Sequence, residues 1–168
     1  MIEALHSLLL RIYRRLPRRA RIAVVHTLAP TFTVGAMCVI ERPDGAVLLV
    51  RHAYRRRWGL PGGLLNRGED PGVAARREAF EEVGAEIETV GEPAVVVDPK
   101  PRRVDVIYRA RLVNGIAPDA IKPTSVEIVE VRWFPSEALP ELQSETAGAL
   151  VALARARRPV SPTDEPGR

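Results

Sequence analysis

The sequence predicts an α+β domain in which strands are layered between helices. Two observations support this fold class. Apolar runs typical of strands recur through residues 33–134, and segments with helical periodicity stand at both ends of the chain and once inside it. No repeat or low-complexity block interrupts residues 30–155. Because strands dominate the middle and helices flank them, we expect an α/β/α layered arrangement.

The composition is that of one soluble globular domain. The chain has 168 residues, of which 46% are hydrophobic and 27% charged. Its single cysteine, Cys38, excludes an intramolecular disulfide framework and a multi-cysteine zinc site. We therefore expect a reducing, cytoplasmic compartment, and a core position for Cys38.

The positive charge is concentrated at the N-terminus. Residues 1–21 contain six arginines and one acid, a net charge of +5, whereas the other 147 residues contain 19 basic and 20 acidic side chains, a net charge of −1. A near-neutral domain gives little support to specific nucleic-acid binding.

Residues 1–30 are interpreted as a basic amphipathic helix followed by a linker. Apolar residues recur at helical spacing, arginines line another face, and Pro17 predicts an end or kink. The apolar positions are Leu5, Leu8, Leu9, Ile12 and Leu16. The helix is expected to pack on the domain or on a second subunit of a homodimer. The alternative is a peripheral contact of residues 1–21 with an anionic membrane or nucleic acid.

The stretch Ile22–Ile40 has the length of a membrane span and carries no Asp, Glu, Lys or Arg. Pro30 breaks a helix, and the residues after it are typical of a strand. We therefore do not expect this stretch to cross a membrane.

Strands and turns alternate in the first half of the domain. Thr33–Glu41 is predicted to be a strand, with a turn at Asp44 and Gly45. Ala46–His52 is a continuous apolar strand, which indicates burial on both faces. Residues 59–72 carry five glycines and two prolines and are predicted to form a loop.

A helix follows this loop over residues 71–83. Asp70 is the expected N-cap, Pro71 the first helical residue and Gly84 the stop signal. Further along, the pattern predicts three strands and a closing helix: Val95–Val97, Val104–Leu112, Val129–Phe134 and Glu141–Arg157. The tail from Pro159 to Arg168 is expected to be frayed.

Three glutamates share one face of the predicted helix 71–83. Glu78, Glu81 and Glu82 are spaced three and four residues apart. A positive charge is expected to balance their mutual repulsion, either that of Arg77 or that of a divalent cation. Clustered carboxylate oxygens suit hard ions such as Mg²⁺ or Mn²⁺. The alternative is a solvated charged face. The glycine-rich loop and the additional Glu69 favour a site.

These residues resemble the Nudix box. The pattern is a glycine, five residues, a glutamate, seven residues, then Arg-Glu-apolar-any-Glu-Glu-any-Gly-apolar, and Gly63–Ala85 matches every fixed position. Ala79 and Ala85 stand where bulkier aliphatic residues are usual, which bears on packing. The strand-like Ala46–His52, residues 58–63 and residues 130–134 are also similar to Nudix hydrolases, so that the resemblance covers about residues 31–155.

The resemblance implies a Nudix fold, a mixed β-sheet sandwiched between helices, with the N-terminal helix as an addition. The expected domains are residues 1–30, the Nudix hydrolase domain 31–157 and a flexible tail 158–168. It implies Mg²⁺-dependent hydrolysis, with Mn²⁺ as a substitute, of a pyrophosphate bond in a nucleoside diphosphate derivative by water. Nucleoside triphosphates, ADP-ribose or nucleotide sugars, and dinucleoside polyphosphates are the candidate substrates. The alternative is a non-catalytic nucleotide-binding or regulatory module with the same fold.

Site residues follow from the resemblance position by position. Glu78, Glu81 and Glu82 would bind the metal together with the carbonyl of Gly62, Glu69 would sit beside it, and Arg77 would hold the loop through a carboxylate contact. The general base is open. We favour Glu127 as base or further ligand, Glu130 is its competitor, and an ordinary loop glutamate is the alternative.

Two further residues are candidates for substrate binding besides Arg77. Arg51 belongs to a basic segment suited to phosphates, or else to a solvated turn. Trp58 could stack a base, although a buried structural tryptophan is the stronger interpretation.

Overall fold

The computed structural model describes residues 2–29, 31–100, 102–113 and 115–156. The helices are α1 (Ile2–Arg15), α2 (Arg18–Leu28), α3 (Pro71–Val83) and α4 (Ser144–Ala156), with a short 3₁₀ turn at Pro118–Ala120. The strands are β1 (Thr33–Ile40), β2 (Ala46–His52), β3 (Gly62–Leu64), β4 (Ile87–Asp98), β5 (Arg103–Leu112) and β6 (Ile128–Pro135). The predicted tail lies outside the described residues.

The domain contains a mixed four-stranded sheet and a two-stranded sheet. The larger sheet has the order β3-β1-β5-β4, in which β1 and β5 run parallel and the other neighbours run antiparallel. The smaller sheet pairs β2 with β6 antiparallel. The larger sheet therefore has both directions of strand pairing, and the mixed sheet expected from the sequence is confirmed.

Alternate residues of the strands feed two cores on opposite sides of the larger sheet. On one side, Ala36 and Cys38 of β1 pack against Ala75 and Ala79 of α3. On the other side, Met37 and Val39 join a cluster that includes residues of α4. The predicted α/β/α layering is confirmed, and Cys38 is fully buried as expected.

Local signals place both ends of α3. The Asp70 side chain accepts hydrogen bonds from the backbone N–H groups of Gly72 (2.9 Å) and Val73 (3.2 Å). Gly84 ends the helix with a φ of 67°, in the left-handed region where a side chain is strained. The helix spans the predicted residues 71–83.

Two strands differ from expectation. Gly62–Leu64 lies in the predicted loop but pairs with β1, so the loop contains the short strand β3. Strand β4 runs from Ile87 to Asp98, well beyond the predicted Val95–Val97. It pairs with β5 both before and after an irregularity between Val90 and Ala94.

Residues 1–32 form a compact unit of their own. Its two helices meet at Pro17, which precedes α2 in an extended conformation, as the proline signal predicted. In the part of the chain that the structure describes, no helix is long and apolar enough to span a bilayer.

Candidate active site

Helix α3 presents its glutamates toward the short strand β3. Glu82 is buried, with 7% of its surface exposed. Its Oε2 accepts a hydrogen bond from the Gly62 N–H at 3.1 Å, and its Oε1 lies 3.6 Å from Nε2 of His52. Strand β2 ends at His52, so two strands and one helix hold this carboxylate in place.

Glu78 lies directly against Gly63. A Cβ atom added at Gly63 would come closer than 3.0 Å to both carboxylate oxygens of Glu78, so any other residue at this position would displace the carboxylate. Burial, reinforced by the negative charges of Glu82 and Glu81, raises the pKa of Glu78, while Arg77 opposes the shift. The carboxylates of α3 are therefore close enough to repel one another.

Arg77 connects the glycine-rich loop to the helix. Its Nε and Nη2 donate to the two carboxylate oxygens of Glu69 at 2.8 and 2.9 Å, and Nη2 also donates to the Leu64 carbonyl. Its Nη1 donates to Glu78 (2.8 Å) and Glu81 (3.1 Å). The bond from Arg77 lowers the pKa of Glu69 to about 2. The guanidinium is thus the counter-charge for three glutamates.

These groups line a polar cleft of about 500 Å³. Glu78, Glu82 and Arg77 lie on its lining together with Gly62 and Gly63. Glu69 and Glu81 do not line it: Glu69 faces Arg77, and the Glu81 side chain is 56% exposed.

The structure separates the two candidates for the general base. Glu127 lines the cleft, and its carbonyl accepts a hydrogen bond from the N–H of Ala53, just after β2. Burial and the nearby Glu127 raise the pKa of Tyr54, which also lines the cleft. Glu130 instead accepts two hydrogen bonds from Arg51, at 2.9 and 2.6 Å, and it does not line the cleft.

Arg51 and Trp58 are not among the cleft-lining residues. The Arg51 guanidinium is engaged by Glu130, so it is not free for a phosphate in this arrangement. Trp58 packs edge-to-face on Phe134 with ring centroids 4.8 Å apart, in the cluster beside α4. The structural interpretation of Trp58 fits these contacts.

The family model of the NUDIX domain matches residues 31–154. The chain belongs to the Nudix hydrolase family. The sequence-based prediction of a Nudix-type hydrolase is therefore confirmed at the level of the family.

Individual relatives agree with this assignment. The chain is 29% identical over 119 residues to a MutT-like protein of Streptomyces ambofaciens, covering 71% of this chain and 74% of that protein. It is 38% identical over 88 residues to an ADP-ribose pyrophosphatase of Mycobacterium tuberculosis, covering 49% and 42%. A solved Nudix hydrolase from Nitrosomonas europaea matches with a TM-score of 0.65 and 27% identity, covering 76% of this chain and 73% of that one.

The donor set of this Nudix site suits a hard divalent cation. Carboxylate oxygens of Glu78 and Glu82 flank Gly62 and Gly63, and oxygen ligands are those that Mg²⁺ and Mn²⁺ prefer. In the described residues, no group of three or more His, Cys, Asp or Glu side chains stands close enough to hold a metal as it is. Arg77 occupies the oxygens of Glu78 and Glu81 instead.

Several cleft residues were not predicted from the sequence, because they come from distant segments of the chain. Arg103 belongs to β5, and Gln143 and Thr146 flank the start of α4. Gln143 donates to the Arg57 carbonyl, and Thr146 accepts from the N–H of Leu60, so both hold the approach to β3. Only the tertiary fold brings these residues together, and no local motif marks them.

Proposed function

We propose that this chain is a Mg²⁺-dependent hydrolase that cleaves a pyrophosphate bond of a nucleoside diphosphate derivative. The observation that supports this most directly is the meeting of Glu78 and Glu82 at Gly62 and Gly63, inside a polar cleft. Membership of the Nudix family and the ADP-ribose pyrophosphatase among its relatives support the same class of reaction.

Glu78, Glu81 and Glu82 would hold the cation together with the Gly62 carbonyl. When bound, Mg²⁺ would neutralise the pyrophosphate oxygens and acidify the attacking water. Glu82 is oriented for this task by the Gly62 N–H and by His52. Glu81 is at present turned toward Arg77, so it would need to release that ion pair before it joins the set.

Glu127 would accept the proton of the attacking water. Glu127 belongs to the segment before β6 and lines the same cleft as Glu78 and Glu82, and the hydrogen bond between the Ala53 N–H and the Glu127 carbonyl fixes that segment. A carboxylate oxygen within reach of the attacking water is able to act as a general base.

The substrate is proposed only as a class. Nucleoside triphosphates, ADP-ribose or nucleotide sugars, and dinucleoside polyphosphates all contain the bond that this site would cleave. We also propose a cytoplasmic location, on the basis of the single cysteine.

A hydrolysis screen tests the proposal. The full chain is incubated with each substrate class in Mg²⁺, in Mn²⁺ and in chelator, and the products are separated by chromatography. Reaction in ¹⁸O-labelled water then shows which phosphorus gains the new oxygen. Turnover that requires the cation, with label in a phosphate product, is expected. Turnover that is undiminished in chelator would contradict the proposal.

A further inference from the structure

Arg103 stands at the first position of β5 and lines the same cleft as Glu78 and Glu82. Its β1 neighbour in the parallel register is Thr33. The side chain is 28% exposed, so its charge is partly removed from solvent. This cation therefore shares the cleft lining with the carboxylates of Glu78, Glu82 and Glu127.

Asp105 holds Arg103 through one nitrogen only. The Nε of Arg103 donates to both carboxylate oxygens of Asp105, at 2.8 and 2.9 Å. Asp105 itself is 6% exposed, so the anchor is nearly buried. Within the described part of the chain, the two terminal nitrogens of Arg103 have no hydrogen-bond partner.

Each of the other arginines of the cleft donates a hydrogen bond from at least one terminal nitrogen. Arg77 gives all its nitrogens to the Nudix glutamates and to the Leu64 carbonyl. Arg55 forms an ion pair with Glu145 at 3.2 Å. Among the described arginines of the cleft lining, Arg103 is therefore the one whose two terminal nitrogens both remain without a hydrogen-bond partner.

Gly35 makes room for this arrangement. A Cβ at Gly35 would come closer than 3.0 Å to Oδ1 of Asp105 and to Nη2 of Arg103, and would lie 3.2 Å from the Gly63 carbonyl. The Arg103 terminus and Gly63 thus approach the same point, and Gly63 is the residue against which Glu78 lies. A glycine inside a strand often marks such a close approach.

We propose that Arg103 binds a phosphate group of the substrate through its two terminal nitrogens, with Asp105 holding it in position. The inference rests on the proposed function, since it names a substrate-binding residue of that site. A guanidinium presents two parallel N–H groups that match two phosphate oxygens. Because Asp105 fixes Nε, little side-chain freedom is lost when the phosphate binds.

Binding of methylenediphosphonate in the presence of Mg²⁺ tests the subsite without turnover. This probe carries the non-hydrolysable counterpart of the pyrophosphate group that all candidate substrates share. By titration calorimetry on the full chain, Arg103→Gln is expected to weaken binding about tenfold or more. Arg103→Lys keeps the charge but loses the planar guanidinium, so its affinity for the probe should lie between those of the wild type and Arg103→Gln. Arg111→Gln, which removes a charge from the same strand outside the cleft, should bind as the wild type does.

Steady-state kinetics distinguish a substrate-binding role of Arg103 from a purely structural one, which would not change KM selectively. For a substrate found in the screen, Arg103→Gln should raise KM by a similar factor and change kcat less, with thermal unfolding recorded alongside. Wild-type protein that does not bind the probe, or Arg103→Gln that binds it equally well, would overturn the inference. If the probe binds in a way that depends on Arg103 but the protein hydrolyses none of the substrates, the phosphate-binding role of Arg103 is supported and the proposed function is contradicted.

Discussion

Arg77 joins the glycine-rich loop to helix α3, and its strongest contact is with Glu69. The hydrogen bonds from Arg77 hold the pKa of Glu69 at about 2, well below its ordinary value of 4.5. A carboxyl group whose pKa is lowered by folding stabilises the protein above its unfolded pKa, and this contribution is lost as the pH falls toward the folded value. The pair therefore stabilises the fold above about pH 4.5 and is lost by about pH 2.

Glu69→Gln is expected to remove the pH-dependent contribution of the Arg77–Glu69 pair to stability. The wild type should lose more thermal stability between pH 4.5 and pH 2 than the variant, because only the wild type protonates Glu69 in that window. Thermal unfolding followed by circular dichroism across this range is the measurement, with the exposed Glu86→Gln as control. Parallel curves for wild type and Glu69→Gln would show that the pair is not linked to folding.

Glu127 and Glu130 are distinguished by a pair of conservative variants. Glu127→Gln is expected to lower kcat about a hundredfold or more, because an amide cannot accept the proton of water. Glu130→Gln should retain most of the activity, since its carboxylate binds Arg51 and lies outside the cleft lining. Measurement of kcat at saturating substrate for both variants decides the role. A larger loss in Glu130→Gln than in Glu127→Gln would reverse the assignment.

At the scale of the element, α3 depends on its N-cap. Asp70→Ala removes the acceptor for the N–H groups of Gly72 and Val73 and should lower the free energy of unfolding by about 1 kcal/mol. Asp70→Asn, which keeps a good capping oxygen, is the matched control and should cost much less. Denaturant unfolding measures both. An equal loss in the two variants would mean that charge, and not capping, is the important property of Asp70.

Elements with local signals were predictable from the sequence. Helix α3 has its cap, its proline and its glycine stop within residues 70–84, and β2 is marked by a continuous apolar run. The short strand β3 has none of these signals, because Gly62 and Gly63 have low strand propensity. Its existence depends on pairing with β1, which lies more than twenty residues earlier. The first half of β4 was missed for the same reason, since pairing with β5 defines it.

The residues of the candidate site also fall into those that a local sequence pattern predicts and those that depend on strand pairing. The proximity of Glu78 and Glu82 was predictable because one helix carries them at fixed spacing, whereas Glu81 of the same pattern is 56% exposed and does not line the cleft. Arg103 could not be found, because its role depends on parallel pairing of β5 with β1 and on the space left by Gly35. Arg51 stays a prediction as a phosphate ligand, and its ion pair with Glu130 depends on the register of β2 and β6.

At the scale of the whole molecule, the N-terminal unit is separate from the family match. The match begins at residue 31, and residues 1–32 cluster apart from the rest. Removal of residues 1–28 should therefore leave turnover and thermal stability unchanged. Loss of both would show that α1 and α2 complete the domain or its dimer. Liposome flotation and sedimentation of the full and shortened chains test the membrane and second-subunit alternatives.

Glu82 is the carboxylate that α3 presents to Gly62, and the proposed catalysis depends on it above all. The most direct measurement is the turnover of Glu82→Gln against Glu86→Gln, in Mg²⁺, on the substrate that the screen identifies. Glu82→Gln should lose turnover by about a hundredfold or more, because an amide neither binds the cation as a carboxylate does nor carries its charge. Glu86→Gln lies just beyond the helix, at an exposed position, and should be fully active. Equal turnover in the two variants would contradict the claim that this glutamate face is the catalytic site.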